Sequence, residues 1–511
     1  MNGRQRGGAQ AGITFAVLIL FSVLYFAATI YRASRKAFWF DEITTIYLSS
    51  LTGFAAIWHG LTHGVDFNPP VFYVLTHVSE GLFPDRQVGA RMPEIIAVWI
   101  FCLCLFRFVS VTSGKLAGLI SMLFPLVTIG YYYAYEARPH GLVLGCCGVA
   151  LVAWQAAVSG TRFRFWWLLA LGASLAFGLL SHNFAVLLFV PIVLGELTRW
   201  AVTRRLDWAL WITLGVAGSF ITVAMALLRA SRPYLGHLYA ANLSALFYSY
   251  KYFYAPALNV IVVAMALLAV FPVNWNKTER ESSDQWRPPL HEMAAVCALV
   301  ALPVFMFLLA RLGQAPMIYR YSVACVAGLS CALGWAFAKR PRFAVIVLAA
   351  IMVQAVMDFR QFRWSSSIEE PSSSTPIPTI SPAYAEDFEW MRSSPHRNVP
   401  IVLLDWLEFS PMFHYAPQDI LPRLVFLTAS DKYTSQNYLY IQSCCQAPGR
   451  VTSLDTLLST TPSFLVYGPP RFDWLLDQFV RRGASVTVEK TSPSHGFFFV
   501  DYGGGRAAAA K

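Results

Sequence analysis

Apolar runs long enough to cross a lipid bilayer recur through residues 1–360, and no other feature of the sequence constrains its fold as strongly. A hydrocarbon core about 30 Å thick is crossed by about 20 helical residues. Backbone groups in lipid must be satisfied within the chain, which leaves helices as the spanning element here. About eleven runs meet that length, near Ile13–Tyr31, Met92–Val109, Leu116–Tyr132, Gly141–Ala157, Trp166–Leu180, Asn183–Leu197, Trp208–Leu228, Ala255–Phe271, Glu292–Ala310, Tyr321–Phe337 and Phe343–Met357. The chain is 56% hydrophobic and only 13% charged, against about a quarter charged in soluble domains. The expected class is mainly α, a polytopic membrane protein with a soluble α/β domain at its C-terminal end.

Charge sets the orientation. With the N-terminus cytoplasmic, the inner loops hold Arg107, Lys115, Arg162, Arg164, Arg199, Arg204, Arg205, Lys277, Arg280, Arg287, Lys339, Arg340 and Arg342, as the positive-inside rule asks. The outer loops are not poor in cations: Arg32, Arg35, Lys36, Arg86, Arg138, Arg229, Arg232, Lys251, Arg311 and Arg320 fall there. Either the orientation is reversed or the outer face needs cations for an anionic ligand. The second reading is preferred, because the outer cations sit within motifs. An odd number of spans then leaves the C-terminus outside. The formal net charge of +11 comes from loops rather than from a basic patch interleaved with aromatics. It therefore suits lipid head groups and lipid phosphates, with no nucleic acid as partner. Seven of the nine cysteines lie in apolar runs, Cys444 and Cys445 are adjacent, and no zinc or redox spacing occurs. The first run has no small-residue cleavage site after it and reads as an uncleaved span.

The composition changes after residue 360. Residues 361–383 are a Ser- and Pro-rich linker. Residues 384–502 alternate helix and strand, with buried-strand runs at Pro400–Leu404, Arg423–Leu427, Ser463–Tyr467 and Phe497–Val500. No phosphate loop or nucleophile elbow occurs there, so contact with the acceptor or the membrane domain is the expected role. Residues 503–511 read as an added tail. The Tyr-rich stretch from Arg229 to Tyr254 is either an aromatic belt at the membrane surface or a lid over a ligand.

Four polar motifs fall on the outer side in this topology. They are Asp41-Glu42, His59 through Asp66 to Pro70, Tyr131 through Tyr135-Glu136-Ala137-Arg138 to His140, and Ser181-His182-Asn183. Acids beside apolar surroundings are expensive to desolvate and usually have a partner or a task. No nucleotide sugar is supplied outside the cell, so a sugar there arrives on a polyprenyl phosphate. Such a donor needs a cation for its phosphate, and a guanidinium grips phosphate oxygens two at a time. Arg138 fits that need; alternatively it only pairs with Glu136 or snorkels. The reaction also needs a base for the acceptor hydroxyl, for which Asp41 is the candidate. Glu42 either stabilises positive charge on the sugar ring or orients a loop. Arg320 and Lys251 offer further phosphate contacts. His63, Asp66, Tyr133, Tyr135, Glu136 and His182 are candidates for contact with substrate. His59, His63 and His182 are weak candidates for a divalent metal, with hydrogen bonding as the alternative.

These motifs resemble the membrane-embedded GT-C glycosyltransferases. Phe40-Asp41-Glu42 after the first span, Asn68-Pro69-Pro70 before Phe72-Tyr73, Tyr135-Glu136-Ala137-Arg138-Pro139-His140 entering the fourth span, Ser181-His182-Asn183-Phe184-Ala185 and the later Arg320-Tyr321 carry the resemblance. The similar groups are the protein O-mannosyltransferases, the aminoarabinose lipid A transferases and bacterial family 39 proteins. The resemblance implies Asp41 as catalytic base and Arg138 on the lipid-linked phosphate. It also implies direct, inverting transfer from a polyprenyl-phosphate sugar to a cell-envelope glycan, lipid or protein. His140 stands where Tyr is common and Ser181 where Thr is common, and no β-trefoil is inserted between the spans.

Two other classes compete. An oligosaccharide ligase using a lipid diphosphate would want more cations near Arg138. A transporter would favour internal repeats and midplane sites, whereas the halves here share no repeat and the polar motifs gather at one face. The expected location is the cytoplasmic membrane, crossed many times, with site and C-terminal domain extracytoplasmic.

Overall fold

The computed structural model describes residues 2–62, 65–235, 241–270, 288–313, 317–364, 382–403, 406–428, 450–468, 473–491 and 495–503. It divides into two compact units, Met1–Arg35 with Phe67–Ser366, and Lys36–Asp66 with Ser367–Lys511. The acidic loop Lys36–Asp66, placed by the sequence between spans of the membrane domain, thus groups with the C-terminal sheet domain.

In the first unit, eight described helices are long and apolar enough to cross a membrane. Two further spans are broken: Lys115–Val127 and Ile129–Tyr135 meet at 71°, and Leu290–Val300 and Leu302–Leu312 at 60°. The helix Cys325–Ala336 is apolar but shorter. Each of the eleven expected runs overlaps one of these elements. The first break falls at Thr128, whose hydroxyl accepts from the Gly130 N–H and whose backbone is extended. A side chain that caps the next turn competes with continuation of the helix. At the second break Pro303 follows Ala301 closely; its missing N–H cannot join a helical ladder.

Where described, the Tyr-rich stretch lies at the end of the helix Ile221–Leu235 and in the helix Leu243–Tyr254, which is continuous with the apolar segment Leu243–Val270. Tyr250 donates to the Val300 carbonyl and Tyr254 to the Cys325 carbonyl, both at 3.0 Å. These two tyrosines therefore tie helices together. Tyr239 lies outside the described residues.

Glycines bring the helices Arg86–Ser113 and His140–Val158 close. A Cβ on Gly141 would stand 2.8 Å from Glu94 Cβ, on Gly145 2.9 Å from the Ala97 carbonyl oxygen, and on Gly148 2.9 Å from Cys104 Cβ. Small residues at such spacing are the usual way for helices to approach in lipid. At the far end of the same helix, Trp154 Nε1 donates to Glu196 at 2.6 Å. Glu196 pairs with Arg199, Arg199 with Asp207, and Asp207 with Arg164. Burial opposes charge on Asp207, yet the Arg164 and Arg199 guanidiniums hold its carboxyl below the usual range. Two of the basic loop residues counted for orientation, Arg164 and Arg199, are therefore structural.

The second unit is built on a six-stranded sheet: β1 (Ile401–Leu403), β2 (Leu424–Thr428), β3 (Val451–Ser453), β4 (Ser463–Gly468), β5 (Ser485–Thr491) and β6 (Gly496–Asp501). The order is β3-β2-β1-β4-β6-β5, parallel from β3 to β4 and antiparallel beyond. Val402, Phe464, Val466 and Val500 bury one face against Leu457 and Phe479 of the helices Leu454–Thr460 and Asp473–Arg481. On the other face Tyr467 bonds Asp387 of Pro382–Ser393, and Phe409 of Trp406–Tyr415 packs on Phe426. His495 bonds Glu408 at 3.1 Å; burial works against its protonation, but the carboxylate raises its pKa.

Candidate active site

In the second unit, Asp41 and Glu42 open a ten-residue helix, Phe40–Ser49. A helix of that length is marginal in isolation, and most of its residues are buried against neighbours. The two acids have unlike surroundings. Glu42 is fully buried, pairs with Lys36 at 3.1 Å, and accepts from the Trp39 N–H at 3.4 Å. That bond engages one of the backbone N–H groups at the helix start. Asp41 is half-buried one position earlier. Neighbouring carboxylates set in different environments can take different roles.

In the first unit, four stretches distant in sequence converge. The Tyr133 ring meets His140 edge-on at 4.8 Å, His140 lies 5.1 Å from His182, and His182 lies 5.1 Å from Tyr321. Tyr321 stacks on Phe184 at 4.2 Å, and the Tyr133 and Tyr252 hydroxyls are 3.2 Å apart. Tyr319 closes on Tyr252 at 4.2 Å. The charges of Arg138 and Arg320 both bear on the His140 ring, while Glu136 and Arg320 act on Tyr133 and Tyr252. Arg138, Glu136, His140 and His182 are all buried. The His182 Nδ1 accepts from the Phe184 N–H at 3.1 Å. In the neutral ring this leaves the proton on Nε2, which can then donate. Two guanidiniums, a histidine donor and a wall of rings can hold a phosphate ester beside an apolar group.

The other candidates fall elsewhere. Tyr135 accepts from Arg32 at 3.2 Å. The Arg32 guanidinium lies among the rings of Tyr131, Tyr135, Phe359 and Phe362, 5.0 to 5.8 Å from their centres, an aromatic cage that fixes the cation. Lys251 is exposed on its helix, and no described contact joins it to the rings around His140. His59 is exposed and Asp66 buried in the second unit. His63 lies outside the described residues. Among the described residues no three His, Cys, Asp or Glu side chains gather as metal ligands do.

Residues 68–228 match the family model described as dolichyl-phosphate-mannose-protein mannosyltransferase. The structure is similar to the crystal structure of ArnT from Cupriavidus metallidurans bound to undecaprenyl phosphate, with a TM-score of 0.52 and 14% identity. That match covers 95% of this chain and 98% of the other. The fold is that of the GT-C glycosyltransferases. The family match spans about a third of the chain and points to glycosyl transfer. ArnT from the same organism in the apo state is also similar, at TM-score 0.41, 14% identity, 95% of this chain and 98% of that one. So is an Archaeoglobus fulgidus oligosaccharyltransferase complex with Zn and sulfate, at 0.40, 13% identity, 77% and 57%. Neither of these two weaker matches carries any part of the assignment. No curated protein matches the sequence.

His140, Tyr252, Tyr319 and Tyr321 were not among the residues singled out for contact with substrate. Their one signal is position: His140 follows the Glu-Ala-Arg-Pro run, and Tyr319 and Tyr321 flank Arg320.

Proposed function

We propose that this GT-C chain transfers a sugar from a polyprenyl-phosphate donor to an acceptor hydroxyl of the cell envelope. The reaction takes place at the extracytoplasmic face of the cytoplasmic membrane. The observation that carries the reading is the cluster of the Tyr133, His140, His182 and Tyr321 rings, with the buried Arg138 two positions before His140 and Arg320 next to Tyr321. A phosphate ester with an apolar tail is the ligand such a group suits. The undecaprenyl phosphate in the similar ArnT structure is in keeping with that choice.

In this reading the acceptor oxygen attacks the anomeric carbon from the face opposite the phosphate. The bond from acceptor oxygen to carbon forms as the bond from carbon to phosphate oxygen breaks. The electron pair leaves with the lipid phosphate, where Arg138 and Arg320 stabilise it. Asp41 takes the hydroxyl proton, and the configuration inverts. Glu42, held by Lys36, fixes the turn that carries Asp41.

Purified protein in nanodiscs, supplied with undecaprenyl-phosphate-linked radiolabelled sugars and envelope extracts, is expected to move label from lipid to acceptor. Absence of transfer with every such donor, together with saturable solute uptake into proteoliposomes, would replace the enzyme with a transporter.

A further inference from the structure

The helix Trp406–Tyr415 carries two adjacent side chains that fasten the segment bearing Asp41, although 377 and 367 positions separate the two pairs of partners. The Tyr415 hydroxyl accepts from the Phe38 N–H at 2.7 Å and donates to the Phe38 carbonyl at 3.3 Å. One phenol thus holds both polar groups of a single backbone residue, three positions before Asp41. Beside it, His414 Nδ1 and the Tyr47 hydroxyl are 3.2 Å apart, and the His414 ring meets Phe38 and Tyr47 edge-on at 6.3 and 5.8 Å. Phe38 precedes the Phe40–Ser49 helix and Tyr47 lies in its last turn, so the pair grips both ends of that helix.

Neither end needs this grip for its own hydrogen bonds. The helix start is closed by Glu42 and Lys36, and the Ser50 N–H already reaches back to Ile46. What the grip adds is position. The Trp406–Tyr415 helix is itself seated on the sheet by Phe409 and Met412, both fully buried. We propose that Tyr415 and His414 are positioning residues for Asp41, and that the C-terminal sheet domain sets the place of the catalytic acid. This rests on the reading of Asp41 as base. A misplacement of about 1 Å at a reacting group costs about a hundredfold in rate, so a side chain that touches no substrate can still govern turnover.

The test uses the full-length protein in nanodiscs. Tyr415→Phe keeps the ring and removes the clasp. Hydrogen exchange is expected to accelerate at Phe38 and through Phe40–Ser49, with the apolar spans unchanged. The turnover number for sugar transfer is expected to fall about ten- to a hundredfold, with the Kd for undecaprenyl phosphate within twofold of wild type. His414→Asn, whose side-chain amide can replace Nδ1, is expected to retain turnover that His414→Ala loses. This rescue decides the matter even if Tyr415→Phe folds poorly. Unchanged exchange and turnover in Tyr415→Phe, or equal loss of turnover and lipid affinity, would overturn the proposal. Asp41→Asn run in parallel separates the two readings. If that variant turns over normally, the base assignment fails; if it is inactive while Tyr415→Phe and His414→Ala are normal, only the positioning role fails.

Discussion

Asp41→Asn is expected to reduce sugar transfer by about a thousandfold or more, because it removes the group that accepts the acceptor's proton. General-base catalysis contributes about 10² to 10⁴ in rate, and Asn matches Asp in shape but cannot take the proton. The loss should fall on turnover alone. Lipid binding depends in this account on Arg138 and Arg320, so the Kd for undecaprenyl phosphate should stay within about twofold of wild type. Initial rates and lipid titrations on the same preparation check both parts. The contrast with Glu42 sharpens the expectation. Glu42 is enclosed with Lys36, so Glu42→Gln should act through the stability of the Phe40–Ser49 helix, which melting temperature reads directly. If Glu42→Gln abolished turnover in a normally folded protein and Asp41→Asn did not, the roles of the two acids would be exchanged.

Arg138→Ala should have the second-largest effect, on donor affinity. Truncating one member of a buried charged pair costs about 2–5 kcal/mol, and about 3 kcal/mol is about a hundredfold in Kd. Arg138→Lys keeps the charge but lacks the planar fork, so its affinity should fall between wild type and Ala. Arg320→Ala should weaken binding in the same direction, since Arg320 adjoins Tyr321, whose ring lies against His140 and His182. Titration with undecaprenyl phosphate reads all three variants. An unchanged Kd in Arg138→Ala would remove the phosphate role and leave Arg138 as a partner of the buried Glu136 region.

Most of the membrane domain was legible in the sequence because crossing lipid demands a long apolar run, and such runs survive any detail of packing. The breaks were not. Leu116–Tyr132 reads as one span by hydropathy, but the Thr128 cap bends it by 71° and delivers Tyr133, Glu136 and Arg138 to the turn that enters the next helix. The strands at Ile401, Leu424 and Ser463 were legible as apolar runs, since parallel central strands are buried on both faces, and the antiparallel β6 was legible by its run Phe497–Val500. β5 was missed because Ser485–Thr491 is an edge strand, largely exposed and mixed in polarity. β3, at the opposite edge of the sheet, is only three residues long.

The site was legible in part. Asp41, Arg138, His182 and Arg320 lie in motifs a reader can find one at a time. Their surroundings follow from tertiary contact: Tyr321 against Phe184 and Tyr252 against Tyr133 join residues more than a hundred positions apart. The attachment of Lys36–Asp66 to the sheet domain is the clearest case. Local pattern places that segment between two spans, and only the Phe38–Tyr415 and Tyr47–His414 contacts reveal what holds it. Lys251 shows the converse: a basic residue in the expected region whose neighbour Tyr252, one position on, faces the rings instead.

Mass analysis of the lipid recovered after turnover tests the central claim most directly. With undecaprenyl-phosphate sugars as donors, the account predicts undecaprenyl monophosphate in amounts equal to the sugar transferred, and about a thousandfold less of it per unit time with the Asp41→Asn protein. Recovery of an undecaprenyl diphosphate, or glycosylated acceptor without release of lipid phosphate, would contradict it.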